Sequence, residues 1–460
     1  MIDYTLPLDQ LPDPLPIEPL TKPFDVTITP PGSKSITCRA YILAALAEGE
    51  SQIIRPLRAD DTDLLLKALC TLGAEARWDG EDVFIKGVGG RFPRGGEINL
   101  GDGGAPTRFM IAAACLAAEP VVVDASPRMR RRPIAEGVDM LRQLGAKIEY
   151  VEEERRLPVR VQPSQSFMGG TVAIGSTVSS QFVSALILIA PFLSAGLRFQ
   201  LDREVTSPTY VQLTLNLLEE WQSDFAIPSW ELVPGGQFWD RINGDLPESV
   251  QITQATLGGQ RFLVESDASG AVYWVVAAWL SRRSKVTLYR FSPRPYQSDW
   301  HLVRELGHAN LINQRFSWLS EDDSYHWHVE RGRKTGKLKC DCSLFPDGAV
   351  VLAVGAAMMK NRSGFTGLHT LRHKETDRIA ALANELRRIG CTVETTDDSI
   401  AIDPSTRHDE PVVIETYNDH RMAMAFAVLG LARPGISIKN PACVSKSYPT
   451  FWKDFAKLYQ

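Results

Sequence analysis

DLLLKALCTLGAEARWDGEDVFIK, residues Asp63–Lys86, carries three signals in one stretch. Leu and Ala recur at helical spacing, Gly73 follows where a helix C-cap needs a positive φ, and two strand-like runs then flank an acidic turn. The pattern returns at Val138–Val161, VDMLRQLGAKIEYVEEERRLPVRV, around Gly145, and at Ile379–Ile402, IAALANELRRIGCTVETTDDSIAI, around Gly390. Leu302–Val329 is a stretched relative with Gly307 after its helix, and Thr209–Ala226 has the helix without the glycine. A recurring helix with paired strands is an internal repeat, so the chain is predicted to be an α/β protein made of repeated units.

Between the repeats lie helices rich in Ala and Leu: Arg39–Ala47, Arg108–Ala118, Gln181–Phe192, Ala271–Leu280, Ala349–Met359 and Arg421–Leu431. Their apolar residues run all round, which predicts burial on most sides. A polar segment precedes each one: PGSKS, GDGGAPT, GSTVSS, ESDASG, LFPDG and TYNDH. Helix N-termini offer unpaired N–H groups and a partial positive charge, so several such ends can bind anions. For any single loop, plain capping is the competing reading.

The chain has 460 residues, 44% apolar and 23% charged, with a net charge of −5. That length predicts two domains, and the acidic balance speaks against a nucleic-acid binder. The seven cysteines are odd in number and scattered, which suits a reducing compartment and a cytoplasmic protein. Cys340 and Cys342 lack the second pair that a zinc site needs, and no metal is expected. His326 and His328 alternate on a strand and are expected to face solvent. The opening MIDYTLPLDQLPDPLPIEPL has no basic leader and reads as an extended, poorly structured lead-in. The most apolar run, Phe182–Leu197, is shorter than the ~20 residues of a membrane span and contains Pro191, so it is expected to be a buried helix.

Basic residues stand out in five places. PGSKS places Lys34 and Ser35 at a helix start with Arg39 beyond, but lacks the second glycine of a P-loop. PRMRRRP, Pro127–Pro133, brackets four arginines with prolines and is read as a rigid loop rather than a solvated tail. HKETDRIAALANEL opens a helix at His373 with Lys374 and Arg378 one turn apart, its acids suiting the dipole. TYNDHR sets His420 and Arg421 at another helix start, and KSYP supplies Lys446 in a loop.

Taken in order, PGSKS with Arg39, ADDT at Ala59–Thr62, the glycine loop with Arg108, RMxxRP at Arg128–Pro133, SSQF at Ser179–Phe182, DAS at Asp267–Ser269, PD at Pro346–Asp347, KETDR, NDHRMAM and SKSYP resemble the 5-enolpyruvylshikimate-3-phosphate synthase family of enolpyruvyl transferases. The resemblance runs from about Pro30 to the C-terminus. It implies two similar domains, each of three repeated βαβ-type units with buried helices, an inside-out α/β barrel. The expected domains are residues 1–33 with 267–460, and 34–266, with the active site in the cleft between them. The implied reaction is transfer of the enolpyruvyl group of phosphoenolpyruvate to the 5-hydroxyl of shikimate 3-phosphate by addition and elimination, with no metal or organic cofactor. A monomer is the family expectation, with no nucleic-acid or membrane partner. The alternatives are the sister transferase acting on UDP-N-acetylglucosamine, whose cysteine-bearing loop is not recognisable here, and a non-catalytic anion-binding homologue.

The resemblance also implies residue roles. Shikimate 3-phosphate falls to Lys34, Ser35, Arg39, Ser179, Ser180, Gln181, Ser207, Tyr210, Asp347 and Lys374. Phosphoenolpyruvate falls to Lys34, Gly104, Arg128, Gln181, Arg378, Arg421 and Lys446. Lys34, Asp347 and Glu375 are the proton-transfer candidates. The chemistry asks for such a set, because the two substrates carry roughly five to six negative charges, at ~1.5–2 per phosphate. Lys34, Arg39, Arg128, Lys374, Arg378, Arg421 and Lys446 supply seven positive ones. Three positions depart from the family pattern: Cys38 and Thr370 stand where Asn is usual, and GDGGA replaces GNAGT, setting the Asp102 carboxylate beside an anion site, where Arg128 or Arg132 can pair with it. In the family, a small residue at the Gly104 position leaves room for the inhibitor glyphosate.

Overall fold

The computed structural model describes residues 2–175, 177–201, 205–221, 246, 249–291, 296–319, 324–333, 337–404 and 410–460. The chain divides into two compact units, Met1–Pro31 with Ser266–Gln460, and Gly32–Glu265. Six sheets of three or four strands lie among the described residues, three in each unit, and none closes on itself.

The four-stranded sheets share one plan. In the Gly32–Glu265 unit, Gly96–Asn99 pairs parallel with Val121–Asp124, which pairs antiparallel with Val159–Gln162, which pairs antiparallel with Lys147–Tyr150. In the other unit, Lys339–Asp341, Ser363–Thr366, Ile400–Asp403 and Thr392–Thr395 repeat that order. A parallel pair needs a crossover, and a buried helix supplies it. The six buried helices are α1 (Lys34–Leu46), α2 (Gly104–Ala114), α3 (Ser180–Ile189), α4 (Ala268–Leu280), α5 (Pro346–Ala356) and α6 (His420–Gly430). They match the all-round apolar stretches of the sequence, and nearly every residue in them is buried. The run from Phe182 is the core of α3, followed by a single 3-10 turn at Ala190–Phe192.

The second helix of each repeat is amphipathic instead. Asp60–Leu72, Ala135–Gln143 and Arg378–Arg388 end before Gly73, Gly145 and Gly390, at φ of +122°, +95° and +96°. A Cβ on Gly145 would lie 2.1 Å from the Ser166 carbonyl oxygen, so both the dihedral and the space exclude a side chain there. The stretched repeat is built differently from expectation. Gly307 lies inside the helix Trp300–His308, and Asn310, at φ +53°, takes the left-handed position, which Asn tolerates. The helix expected at Thr209–Ala226 spans Pro208–Trp221, and residues 222–226 lie outside the described residues. So does Ser176 of GSTVSS.

Two other expectations are corrected. The N-terminal lead-in is packed, not loose. Tyr4 sits among Trp452, Phe455 and Tyr459 with ring centroids at 6.2, 5.2 and 5.4 Å, and Leu15–Pro16 pairs antiparallel with Ser437 and Ile438. Pro16 fits because its strand is an edge. His326 is buried rather than exposed, its ring stacked 3.8 Å from that of Tyr289, while half-buried His328 shares hydrogen bonds with Thr287 and Ser317. Cys340 lies on its strand as read, and all seven cysteines are free thiols. No described helix is long and apolar enough to cross a membrane.

Candidate active site

In the unit holding Ser266–Gln460, α5 and α6 start beside the chain segment Lys374–Arg378. Asp347 lies in the first turn of α5, and Asp419 caps α6 by accepting from the Arg421 N–H at 2.9 Å. The Arg378–Arg388 helix begins later than expected. Asp377 is its N-cap, accepting from the Ala380 N–H at 3.0 Å, so Lys374 and Glu375 precede the helix, in a bend after the 3-10 turn His369–His373. Lys374 and Arg378 therefore do not share a helix face. They share a carboxylate.

That carboxylate is Asp347. Its Oδ1 accepts from Arg378 Nη1 at 2.8 Å and lies 3.4 Å from Lys374 Nζ, and its Oδ2 accepts from Arg421 Nη2 at 3.0 Å. Arg378 also donates to Glu375 Oε2 at 2.7 Å and, through Nε, to Asp419 Oδ2 at 2.8 Å. Glu375 Oε1 in turn lies 2.9 Å from Lys446 Nζ. Four cations thus interlock with three carboxylates in a nearly dry cluster, and Arg378, with its side chain 1% exposed, is its hub. Burial alone raises the Asp347 pKa, but Arg421, Lys374 and Arg378 outweigh it and hold the carboxyl well below its usual range. Burial lowers the Lys374 pKa, with Asp347 opposing. Asp299, also buried, hydrogen-bonds Ser269 Oγ at 2.5 Å, and burial pushes its pKa up to about 6.

In the Gly32–Glu265 unit, Lys34 opens α1 and its Nζ lies 3.1 Å from Asp61 Oδ2, in the first turn of Asp60–Leu72. Ser33 Oγ, buried at the N-cap beside it, has no partner among the described residues. Arg108, on α2, donates to Gln181 Oε1 at 2.6 Å and to the Pro133 carbonyl at 2.8 Å, which fixes the Gln181 amide at the start of α3. Ser179 caps α3 through the Gln181 N–H, and Ser180 is buried behind it. Gly104 starts α2 against Arg132, whose guanidinium nitrogen would be 2.7 Å from a Cβ there. PRMRRRP begins as the short helix Pro127–Arg130, with Arg130 tied to Asp124 and Glu152. Asp102 is partly exposed rather than buried. It accepts from Ser126 and lies 4.0 Å from Arg128, so Arg128 is its cation.

Arg39 is buried on α1. It is 2% exposed and donates to Thr214 Oγ1, the Ser35 carbonyl, Ser184 Oγ and the Tyr210 carbonyl. No carboxylate is among these acceptors, and burial pushes its pKa down to about 10. Ser207, at φ +49°, is buried at the turn before the helix bearing Tyr210. Of the departures, Cys38 is fully buried with its thiol pushed up to about 12, chiefly by burial, and Thr370 Oγ1 is buried without a partner among the described residues.

The structure brings Asp347, Lys374, Glu375, Arg378, Arg421 and Lys446 together, and separately Lys34, Arg108 and Gln181 onto adjoining helix starts. The sequence reading missed Asp61, Asp419 and Asp299. ADDT and NDH were visible, but an acid in the first turn of a helix reads as a cap until its cation is seen.

Comparison with known proteins follows this geometry. A family model described as EPSP synthase (3-phosphoshikimate 1-carboxyvinyltransferase) matches residues 20–455. A protein of that name from Paraburkholderia phytofirmans is 34% identical over 443 residues, covering 94% of this chain and 96% of its own. One from Vibrio cholerae is 34% identical over 433 residues, covering 93% and 95%. The solved EPSP synthase of Acinetobacter baumannii superposes with a TM-score of 0.76 at 22% identity, covering 96% of this chain and 98% of its own. The enolpyruvyl transferase NikO of Streptomyces tendae gives 0.68 at 15%, covering 96% of each.

Proposed function

The chain belongs to the EPSP synthase family, and from that premise we propose how its residues transfer the enolpyruvyl group of phosphoenolpyruvate to the 5-hydroxyl of shikimate 3-phosphate, releasing phosphate. The observation that carries the reading is the cluster around Asp347, in which three buried or half-buried cations, Lys374, Arg378 and Arg421, surround a carboxylate held ionised. An ionised carboxylate is a base. Asp347 accepts the proton of the 5-hydroxyl as its oxygen attacks the carbon bearing the phosphate.

The methylene carbon of phosphoenolpyruvate gains a proton in the same addition and loses one in the elimination that expels phosphate. Glu375 and Lys34 are the groups proposed for these transfers. Glu375 is paired with Lys446 and Arg378 in the free chain. A substrate carboxylate or phosphate that draws on those cations raises the proton affinity of Glu375 as it binds. Lys34 carries its proton beside Asp61. Arg421, Lys446, Arg128 and Arg378 oppose the charge of phosphoenolpyruvate, and Gln181, fixed by Arg108, and Lys374 orient shikimate 3-phosphate, with Ser35, Ser179, Ser180, Ser207 and Tyr210 as its hydroxyl contacts. Arg39 supports this set by tying α1 and α3 to the helix Pro208–Trp221. The two compact units are proposed as the two domains of one transferase. A monomer in the cytoplasm is part of the proposal, supported by seven free thiols.

The test is phosphate release from phosphoenolpyruvate, with and without shikimate 3-phosphate, for the native chain, Asp347→Ala and Lys34→Met. Release that needs both substrates and collapses in both variants supports the assignment. Release by native protein that survives in either folded variant removes that residue from the mechanism.

A further inference from the structure

Gln297, Ser298 and Asp299 are consecutive polar residues, all buried, that no step proposed above uses. They lead into the helix Trp300–His308 and pack against the start of α4. Gln297 accepts from the Ala268 N–H at 2.9 Å and donates to the Ser266 carbonyl at 2.8 Å. Asp299, 2% exposed, stands at the N-cap of Trp300–His308 but makes no capping bond there. Its Oδ2 instead accepts from Ser269 Oγ, in the first turn of α4, at 2.5 Å. Its Oδ1 has no hydrogen-bond partner among the described residues. That oxygen lies 3.2 Å from where a Cβ on Gly348 would be, one residue beyond Asp347. The missing side chain of Gly348 therefore leaves room for the carboxylate against the first turn of α5.

Three helix starts supply the charges that face it: Asp267 at α4, Asp347 on α5 and Arg421 on α6. Its own first turn adds His301, whose ring stacks 6.4 Å from that of Phe345. Burial raises the Asp299 pKa to about 6, with Arg421 opposing and Asp347 and Asp267 adding to the rise. At neutral pH the group is thus an anion in a nearly dry place with one oxygen unpartnered, which costs the fold stability. A buried carboxyl held at such a cost beside reacting groups is a candidate for function.

We propose that Asp299 is a positioning residue of the transfer, its buried negative charge behind α5 favouring arrival of the 5-hydroxyl proton on Asp347. Two carboxylates near one another repel, and a proton on either relieves the repulsion. Asp347 faces the reaction and Asp299 does not, so Asp347 takes the proton while Arg421 keeps Asp299 ionised. The inference rests on the proposed role of Asp347 as the base.

The experiment measures kcat and KM by phosphate release across pH 5–8 for the native chain, Asp299→Asn, Ser269→Ala and, as a control on that role, Asp347→Ala. Substrate phosphates also titrate near pH 6, so the readout is the ratio of native to variant kcat. Below about pH 6 Asp299 is neutral and Asn mimics it; above, the native chain gains a charge that the variant lacks. For Asp299→Asn the ratio is expected to rise from about one at pH 5 to about tenfold at pH 7.5, with KM for both substrates within about twofold of native. Circular dichroism checks that both variants fold. Ser269→Ala keeps the carboxyl and removes its donor, which raises the pKa further, so the rise of kcat should move to higher pH. A folded Asp299→Asn with native kcat at pH 7.5 overturns the proposal, as does a ratio that does not change with pH, or a folded Ser269→Ala with the native profile. Turnover retained in Asp347→Ala would remove Asp347 as the base and this inference with it. Collapse of Asp347→Ala beside native kcat in Asp299→Asn would remove this inference alone.

Discussion

Replacing Arg378 by Lys keeps the charge and removes the geometry. The guanidinium makes four hydrogen bonds to three carboxylates, Asp347, Glu375 and Asp419, at 2.7 to 3.2 Å. An ammonium has no fork and reaches one or two of those oxygens, so Arg and Lys are not interchangeable here. Each bond to a charged group contributes about 1.5–3 kcal/mol, and breaking a buried ion pair costs about 3–5 kcal/mol when a partner is left behind. Arg421, Lys374 and Lys446 keep part of the compensation, so the expected loss is about 3 kcal/mol. For a domain of this size that lowers Tm by roughly 6–12 °C. Asp347 also loses its close contact with one of the cations that hold its pKa down. The sign follows from linkage. A depressed carboxylate stabilises the fold above its unfolded pKa and loses that stabilisation as pH falls through the folded value. Loosening that contact raises the folded value, so both the acid unfolding transition and the acidic limb of the kcat/KM profile move to higher pH. Activity at neutral pH is expected to fall about 10²-fold through misplacement of Asp347. The assays are differential scanning calorimetry and phosphate release across pH 4–8. An Arg378→Lys protein with native Tm and an unmoved acidic limb would refute the hub assignment.

Other substitutions probe single features. Asp299→Asn removes a carboxyl whose pKa burial raises to about 6; a raised carboxyl favours the fold below its unfolded pKa and loses that advantage as pH climbs through about 6, so the variant should gain about 1.4 kcal/mol on the native protein between pH 5 and pH 8 in urea unfolding. Gly104→Ala sets a Cβ 2.7 Å from the movable guanidinium of Arg132; Tm should hold within a few degrees while KM for phosphoenolpyruvate rises several-fold, and glyphosate should inhibit the native enzyme more than the variant. Gly145→Ala meets the Ser166 carbonyl at 2.1 Å with φ at +95° and should cost about 3 kcal/mol in denaturant unfolding without altering KM.

What the sequence made legible was periodic or local. The repeats, the C-cap glycines and the buried helices all leave marks within a dozen residues, and each was found within a few positions of its structural bounds. What it hid was non-local. Tyr4 and Leu15 looked like isolated apolar residues in a proline-rich leader because their partners, Trp452, Phe455 and Ile438, lie at the other end of the chain. The start of the Arg378–Arg388 helix was misplaced because Lys374, Glu375 and Asp377 all suit a first turn, and only the Asp377–Ala380 hydrogen bond decides between them. The hydroxyls of Ser184 and Thr214 that engage Arg39 sit inside apolar helical runs and give no signal.

The carboxylates are the most instructive omission. Counting cations explained how substrate charge is met but not how the empty protein keeps those cations close. Arg378 and Arg421 both contact Asp347, and without it two guanidiniums would share a nearly dry space, a repulsion of several kcal/mol at an effective dielectric near 20. Asp347, Glu375 and Asp419 remove that repulsion, and Asp61 does the same for Lys34 in its own unit. The pairing lowers affinity, since an arriving phosphate or carboxylate must share donors already engaged. It also gives the binding step a chemical consequence. On the proposed mechanism, Arg421 turns toward substrate anions, Asp347 loses part of the field that holds its carboxyl well below the usual range, and its proton affinity rises when a proton has to be taken up. Asp419, fully buried and capping α6, has no exposure to substrate and keeps Arg378 in place throughout. Internal ion pairing in this cluster is therefore the means we propose for converting anion binding into proton transfer.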